Sequence, residues 1–202
     1  MKKYIAVAGN IGAGKTSLVD FLCRQYELKP FFEPNDFNPY LGDFYGDMRR
    51  WAFHSQIYFL SHKFRLHREL ERYPGTVVQD RTIYEDAEVF AKNLHRARHI
   101  GKRDYQTYRE LYDTIRKDLK PPDVMIFLRC NVRTMRKRIR DRGRGMEQNI
   151  PAAYLRRLDG LYNEWFDSYN LSPVIELKSD RIDYVTDLLY RYDLLKKIER
   201  YL

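Results

Sequence analysis

The sequence predicts an α/β fold in which five parallel strands form one sheet with helices on both faces. Three observations carry this prediction: short apolar runs typical of buried strands, longer stretches of helical pattern with charged faces between them, and proline- and glycine-containing turns that separate the two. The predicted strands are residues 4–8, 30–33, 76–80, 124–129 and 174–178.

The segments between these strands carry the helical pattern. The helix at 47–72 has a broad apolar face that includes Trp51, Ile57 and Phe64. No linker, repeat or low-complexity run divides the 202 residues, so we expect a single domain over residues 1–202. The predicted helices are residues 15–26, 47–72, 84–95, 104–119, 132–142, 152–169 and 182–202.

Composition narrows the class of protein. A hydrophobic content of 44% with 32% charged residues is typical of globular chains, and no apolar run approaches the ~18 residues of a membrane span. A strand-like run begins at Tyr4, so we expect no secretory signal. Cys23 and Cys130 lack metal-ligand spacing, which favours a reducing cytoplasm. The net charge of +9 suits an anionic partner without choosing among nucleotide, nucleic acid and membrane surface.

A phosphate-binding loop follows the first strand. Residues 9–16 fit the pattern G-x-x-x-x-G-K-[ST], in which glycines let backbone N–H groups surround an anion and the next helix adds its positive end. Lys15 would reach the β- and γ-phosphates, and the Thr16 hydroxyl would bind Mg²⁺. The predicted contacts to the triphosphate are Gly9, Asn10, Ile11, Gly12, Ala13, Gly14, Lys15 and Thr16.

Acidic residues end two of the predicted strands. Asp80 ends the third strand, where a carboxylate in this class of protein holds Mg²⁺, although such a residue also serves as a helix cap. Glu33 ends the second strand and would accept a proton from an attacking hydroxyl, with a surface turn as the alternative. Parallel strands present their carboxyl ends at one edge, so we expect both acids near the phosphate loop.

A run of arginines between residues 136 and 150 predicts a short lid. Arg138 and Arg142 lie four residues apart on one helix, and Arg144 follows beyond its end. Arginines closing over a triphosphate would neutralise transition-state charge and exclude water. The alternatives are a solvated basic face or a nucleic-acid patch, and the run has no interleaved aromatics for base stacking.

Together these motifs resemble the deoxynucleoside kinase family, and the bacterial deoxyadenosine/deoxyguanosine kinases in particular, over nearly the whole chain. The resemblance implies a P-loop kinase fold with sheet order 2-3-1-4-5 and a homodimer built from long helices. It also implies transfer of the γ-phosphate of ATP, with Mg²⁺, to the 5′-hydroxyl of a deoxynucleoside in nucleotide salvage. A deoxynucleoside triphosphate end product is expected to inhibit by lying across both sites.

The resemblance assigns roles around the reacting phosphate. Phe32-Glu33-Pro34 is similar to the family's Glu-Pro element, whose glutamate is the general base. Asp80-Arg81-Thr82 is similar to its acid-Arg-Ser/Thr motif, which implies that Asp80 binds Mg²⁺ and that Arg81 holds Glu33 and the 5′-oxygen. Arg138, Arg142 and Arg144 match its lid arginines.

It also assigns residues to the nucleoside. Tyr45 matches a tyrosine that binds the 3′-hydroxyl, and Asn163-Glu164-Trp165 implies that Glu164 is the second 3′-hydroxyl partner. Gln56 matches the base-reading glutamine and Asp86 a base-binding acid.

Base preference and donor-base contacts are less fully specified. Many relatives pair the base-binding acid with arginine, whereas this chain offers Lys63, with Arg65 as an alternative. We expect a purine deoxynucleoside, deoxyadenosine or deoxyguanosine, with deoxycytidine as a third candidate. Asp180, after the last strand, is a candidate contact for the base of ATP.

Two other functions remain open at this level. A nucleoside monophosphate kinase of the thymidylate kinase type would bind an anionic acceptor, which Glu33 and Glu164 would repel. A GTP switch or a nucleic-acid-binding ATPase is the other alternative; the sequence lacks the Asn-Lys-x-Asp guanine motif, and only the +9 charge favours nucleic acid.

Overall fold

A parallel sheet of five strands forms the centre of the protein in this computed structural model, which describes residues 2–32, 37–148, 150–181 and 188–201. Neighbouring strands follow the order β2-β3-β1-β4-β5, and every pairing is parallel. The predicted fold class and strand order are therefore confirmed. The strands are β1 (Tyr4–Gly9), β2 (Lys29–Phe31), β3 (Val77–Asp80), β4 (Val124–Arg129) and β5 (Val174–Lys178).

β1 lies in the middle of the sheet because all of its residues are apolar or small. Its six residues are all buried, and Ile5 lies opposite Val78 of β3 and Val124 of β4. Strands covered on both faces lose the alternation of a half-exposed strand. β5, at one edge, instead alternates exposed and buried residues.

Several helices match their predicted bounds. α1 (Lys15–Tyr26) and α7 (Val132–Arg142) agree with the prediction at both ends. α3 (Met48–Arg72) starts one residue late because Asp47 is its N-cap and its side chain accepts a hydrogen bond from the Arg50 backbone N–H at 3.1 Å. The other long helices are α6 (Lys102–Arg116), α8 (Ala152–Ser168) and α9 (Leu188–Glu199).

Two helical segments differ from the prediction. α2 (Leu41–Gly46) was not expected, because Gly42 and Gly46 give it low helix propensity. The helix predicted over 84–95 is continuous but changes geometry along its length, and π-helical turns of this kind often occur at functional sites. It consists of α4 (Ile83–Glu85), a π-helical segment (Asp86–Ala91) and α5 (Lys92–Arg96).

Some predicted bounds shift, and some fall outside the described residues. The helix predicted at 104–119 lies at 102–116, and the strand predicted at 30–33 ends at Phe31. Glu33 and residues 182–187 lie outside the described part of the chain.

Candidate active site

The predicted phosphate loop leaves β1 and enters α1 with backbone geometry that requires glycine. Gly9 and Gly12 have φ of 148° and 76°. A Cβ on Gly12 would lie 2.7 Å from the Met135 carbonyl oxygen of α7, so the loop approaches that helix too closely for any side chain. Lys15 folds back over the loop, and its Nζ donates to the carbonyl oxygens of Gly9 at 2.9 Å and Asn10 at 3.1 Å.

Thr16 and Asp80 meet beside this loop. The Thr16 hydroxyl donates to Asp80 Oδ2 at 2.5 Å, and Asp80 reaches this position because it is in register with Val7 of β1. Asp80 Oδ1 is buried and has no hydrogen-bond partner among the described residues. Hydroxyl and carboxylate oxygens are the ligands that Mg²⁺ prefers, so this pair fits the predicted ion.

Arg81 adopts an unusual backbone conformation directly after Asp80. Its φ is 62°, a left-handed value that is costly for a residue with a side chain and is typical of functional sites. The guanidinium lies 4.6 Å above the ring of Phe90, and its Nη2 donates to the Gly9 carbonyl oxygen at 3.4 Å. Arg81 is thereby held against the phosphate loop with only 6% of its surface exposed.

The three predicted lid arginines lie in two places. Arg142 and Arg144 face an open cavity beside the phosphate loop and bind the Glu147 carboxylate, Arg144 at 3.5 Å. Arg138 instead lies along the outside of the loop, where it donates to the carbonyl oxygens of Ala13 at 3.0 Å and Ser179 at 2.7 Å. Arg138 and Arg142 lie about one helical turn apart, yet only Arg142 and Arg144 line the cavity.

This cavity, which we call the central cavity, extends from the phosphate loop to α3. Most of the residues predicted for the triphosphate, the metal and the nucleoside line it together. They are Ile11, Gly12, Lys15, Thr16, Tyr45, Gln56, Asp80, Arg81, Asp86, Arg142 and Arg144.

Gln56 of α3 and Asp86 of the π-helical segment both line the central cavity. Gln56 is 4% exposed, and its Oε1 has no hydrogen-bond partner among the described residues. Lys63 is fully buried beside the Asp86 carboxylate, and its Nζ donates to Asp86 Oδ1 at 2.8 Å. Arg65 is exposed and contacts His62 instead. The basic partner of Asp86 is therefore Lys63, and Lys63 is not itself among the residues that line the cavity.

Glu164, predicted as a sugar contact, lies outside the central cavity. Its side chain is 49% exposed and binds Arg96 at 2.8 Å and Lys92 at 3.3 Å on α5, outside the central cavity. α8 buries its other face, which includes Leu161 and Trp165, so Glu164 points away from the site.

Glu147, unlike Glu164, is an acidic residue that faces the central cavity. It is 5% exposed and lines the cavity beside Arg142 and Arg144. The sequence held a signal for it, because Glu147 is an acid inside a strongly basic run and a buried acid needs a basic partner.

Other lining residues were not predicted. One of them is Tyr154 of α8, whose pKa burial raises to about 12. The remaining unpredicted lining residues are Leu41, Phe44, Ser55, Phe59 and Phe90. They come from elements far apart in sequence, and no local motif marks them.

The last candidate residues lie away from the cavity or outside the described chain. Asp180 is exposed near the end of β5, where its Oδ1 accepts a hydrogen bond from the Asn131 N–H at 2.6 Å.

Two other kinds of feature are absent from the described residues. No group of three or more His, Cys, Asp or Glu side chains there could hold a metal ion. None of the described helices combines the length and the apolar character that a membrane span requires.

Sequence comparison relates the chain to known proteins over nearly its whole length. The family model described as deoxynucleoside kinase matches residues 5–202. The deoxyadenosine/deoxycytidine kinase of Bacillus subtilis (strain 168) is 37% identical, with 91% of this chain and 85% of that protein covered. A deoxyguanosine kinase of Lactobacillus acidophilus is 34% identical, with 96% of this chain and 88% of that protein covered.

Structural comparison agrees with the sequence. The deoxyadenosine kinase from M. mycoides with bound dATP superposes with a TM-score of 0.85 at 27% identity, covering 96% of this chain and 99% of that one.

Proposed function

The chain belongs to the deoxynucleoside kinase family, and we propose that it transfers the γ-phosphate of ATP to the 5′-hydroxyl of a deoxynucleoside whose base carries an amino group. The observation that carries this proposal is the central cavity, which joins a phosphate loop at one side to the Gln56 amide and the Asp86 carboxylate at the other. Family membership favours the nucleoside kinase over the monophosphate kinase, the GTP switch and the nucleic-acid-binding ATPase.

On the donor side, the loop from Gly9 to Thr16 would hold the phosphates and Lys15 would contact the transferred group. Thr16 and Asp80 would hold Mg²⁺, which offsets charge on the donor phosphates. The buried Asp80 Oδ1, which lacks a protein partner in the described chain, supports this assignment.

Around the transferred phosphate, Arg81, Arg142 and Arg144 would neutralise the charge that develops in the transition state. Arg138, bound to the outside of the loop, would instead contact the donor nucleotide away from the acceptor, near the candidate Asp180. Glu33 remains the proposed general base by resemblance, because an uncharged hydroxyl acceptor needs a group that accepts its proton.

At the sugar, we assign the 3′-hydroxyl to Tyr45 and Glu147 in place of Tyr45 and Glu164. Both line the central cavity between the lid and α2. A carboxylate accepts a hydrogen bond from a hydroxyl, and Glu147 is positioned by the same lid that brings Arg142 and Arg144.

At the base, an amide both donates and accepts, whereas a carboxylate only accepts. A base with an exocyclic amino group satisfies both Gln56 and Asp86. Thymine has no amino group and would place a carbonyl oxygen against the carboxylate. Two acceptors facing each other in a buried site cost binding free energy, so the enzyme should discriminate strongly against thymidine. Lys63 lies behind Asp86 and fixes it through their salt bridge. The expected order places deoxyadenosine and deoxyguanosine ahead of deoxycytidine, and thymidine last.

A panel of four deoxynucleosides and their monophosphates, assayed with ATP and Mg²⁺, tests this proposal. We expect kcat/KM for at least one amino-bearing deoxynucleoside to exceed that for thymidine by about 100-fold or more. Asp86→Asn should reduce this ratio, and Glu88→Gln, a half-buried acid on the same helical segment, should leave it unchanged. Thymidine as the best substrate, or turnover of monophosphates alone, contradicts the proposal.

The homodimer, the cytoplasmic location and inhibition by a deoxynucleoside triphosphate stay predictions. The dATP bound to the M. mycoides kinase supports the last of these, because a triphosphate occupies that related protein.

A further inference from the structure

Glu85 is a buried carboxylate that the chemistry above does not use. It has no exposed surface, does not line the central cavity, and stands one helical turn after Arg81. Burying a charge is costly unless other groups compensate for it, so the contacts of this carboxylate indicate what it does.

One oxygen of Glu85 caps its own helix. Oε2 accepts a hydrogen bond from the Thr82 N–H at 2.8 Å and from its hydroxyl at 3.3 Å. The Thr82 side chain accepts in turn from the Glu85 backbone N–H, which completes the capping box of α4. This local role is satisfied by one oxygen, and glutamine performs it equally well in helices generally. Capping alone therefore does not explain a buried negative charge.

The other oxygen connects three elements of the site. Oε1 accepts a hydrogen bond from the Gly9 N–H at the start of the phosphate loop at 3.2 Å and from the Tyr162 hydroxyl of α8 at 2.9 Å. Arg81 Nε lies 3.9 Å from the same oxygen. Glu85 thus contacts the phosphate loop, the helix that follows the lid, and the arginine beside the reacting phosphate.

The electrostatic surroundings agree with this geometry. Burial raises the pKa of Glu85, and the positive charges of Arg81, Lys15 and Lys63 act in the opposite direction. Two of these cations line the central cavity. Both of its oxygens accept hydrogen bonds from N–H and O–H donors, as the two oxygens of a carboxylate do, so the group places a negative charge behind the positively charged wall of the site.

We propose that Glu85 is a positioning residue for phosphoryl transfer, which holds the Arg81 guanidinium and the first peptide of the phosphate loop in place and ties both to α8 through Tyr162. This inference rests on the proposed kinase function. Three groups contact the Arg81 guanidinium. The Glu85 carboxylate lies near Nε, the Gly9 carbonyl oxygen accepts from Nη2, and the guanidinium stacks on the Phe90 ring. Removing the carboxylate takes away the negative charge beside the guanidinium and the acceptor of the Gly9 N–H.

The first test is Glu85→Gln, which keeps the shape of the side chain and removes the charge. We expect kcat to fall about 10- to 100-fold with a smaller change in either KM, because misplacement of a group that acts in the transition state lowers kcat first. The matched control is Glu88→Gln, which removes a carboxylate paired with Arg109 and should stay within about 2-fold of wild type.

The second test separates positioning from a general loss of structure. In an Arg81→Ala background, Glu85→Gln should lower kcat by a smaller factor than it does in the wild-type protein, because one of the two groups that it positions is gone. Tyr162→Phe removes a single hydroxyl, and it should likewise lower kcat by a smaller factor in the Arg81→Ala background than in the wild-type protein. Full additivity of either variant with Arg81→Ala, or wild-type kcat in folded Glu85→Gln, overturns the inference.

Wild-type turnover of a deoxynucleoside distinguishes the two proposals. If the wild-type protein phosphorylates no deoxynucleoside, the proposed function fails. If it is active and the Glu85 and Tyr162 variants match it, only the positioning role fails.

Discussion

The two ends of the parallel sheet use buried polar groups in different ways. At the carboxyl end, Gln56 Oε1 and Asp80 Oδ1 are buried without a hydrogen-bond partner in the described residues. At the amino end, backbone N–H groups bind carboxylates: the Tyr4 N–H donates to Asp123 at 2.7 Å, and the Lys120 N–H donates to Glu71 at 3.0 Å. The buried His67 Nε2 makes no hydrogen bond among the described residues but lies 3.4 Å from Glu71 Oε1. Unsatisfied buried groups cost stability, so the carboxyl end is arranged for ligands and the amino end for folding.

The same elements carry both arrangements. α3 holds Gln56 at the central cavity and, three turns later, His67, which packs edge-on against Tyr4 at 5.5 Å at the opposite end. Substitutions at the carboxyl end should therefore lower turnover with little loss of stability. Substitutions at the amino end should lower stability and leave turnover intact.

The largest effect is expected at the phosphate loop. Lys15→Ala should lower kcat/KM about 100- to 1,000-fold with every deoxynucleoside, because it removes a positive charge placed against the donor phosphates. Its melting temperature should stay near that of wild type. Steady-state kinetics and thermal melts measure both, with exposed Lys117→Ala as the control.

Wild-type rates in Lys15→Ala would remove the phosphate loop from the mechanism. A large drop in melting temperature would show that this end of the sheet also carries folding energy, and the contrast between the two ends would then fail.

A smaller effect separates two candidate glutamates at the sugar. Glu147→Gln should lower kcat/KM about 10-fold, because a buried carboxylate binds a hydroxyl more strongly than an amide does. Glu164→Gln, at an exposed ion pair, should change it less than about 2-fold. With a 3′-deoxy substrate, the loss in Glu147→Gln should shrink, because the hydroxyl partner is absent.

The opposite ranking of these two variants would restore Glu164 as the sugar residue. If Glu147→Gln lowers kcat/KM equally for substrates with and without a 3′-hydroxyl, Glu147 does not bind that hydroxyl. Its role would then be limited to orienting Arg142 and Arg144.

The sequence predicted the donor side better than the acceptor side, for a physical reason. The phosphate loop is eight consecutive residues whose glycines dictate their own backbone, and β1 and β3 are apolar runs that end at Gly9 and Asp80. These features are local, and the parallel pairing of two strands that end at the same edge then brings Asp80 next to Thr16.

The acceptor side depends on contacts between distant elements. Glu147 and Glu164 are both acids near the lid, and only the packing of α8 against the rest of the chain decides which one faces the cavity. Glu85 was missed because a carboxylate in a helical first turn is ordinary in sequence, and its burial against Gly9 and Tyr162 is visible only in three dimensions.

The smallest effect tests the amino end through pH. Burial lowers the pKa of His67 below its usual value, while Glu71 opposes this shift. The unfolded chain then takes up a proton at higher pH than the folded one, so stability is fully present above about pH 6.5 and is lost as the pH falls below it.

His67→Gln removes this titration. Between pH 7.5 and 5.5, the free energy of unfolding of wild type should fall relative to the variant by at most about 1.4 kcal/mol per pH unit, the limit for one proton. Urea unfolding at several pH values measures the difference, and exposed His54→Gln on the same helix is the control. Turnover at pH 7.5 should match wild type in both variants. A parallel pH dependence in His67→Gln and wild type would show that His67 titrates alike in both states, and reduced turnover in that variant would mean that the two ends of α3 are coupled rather than separate.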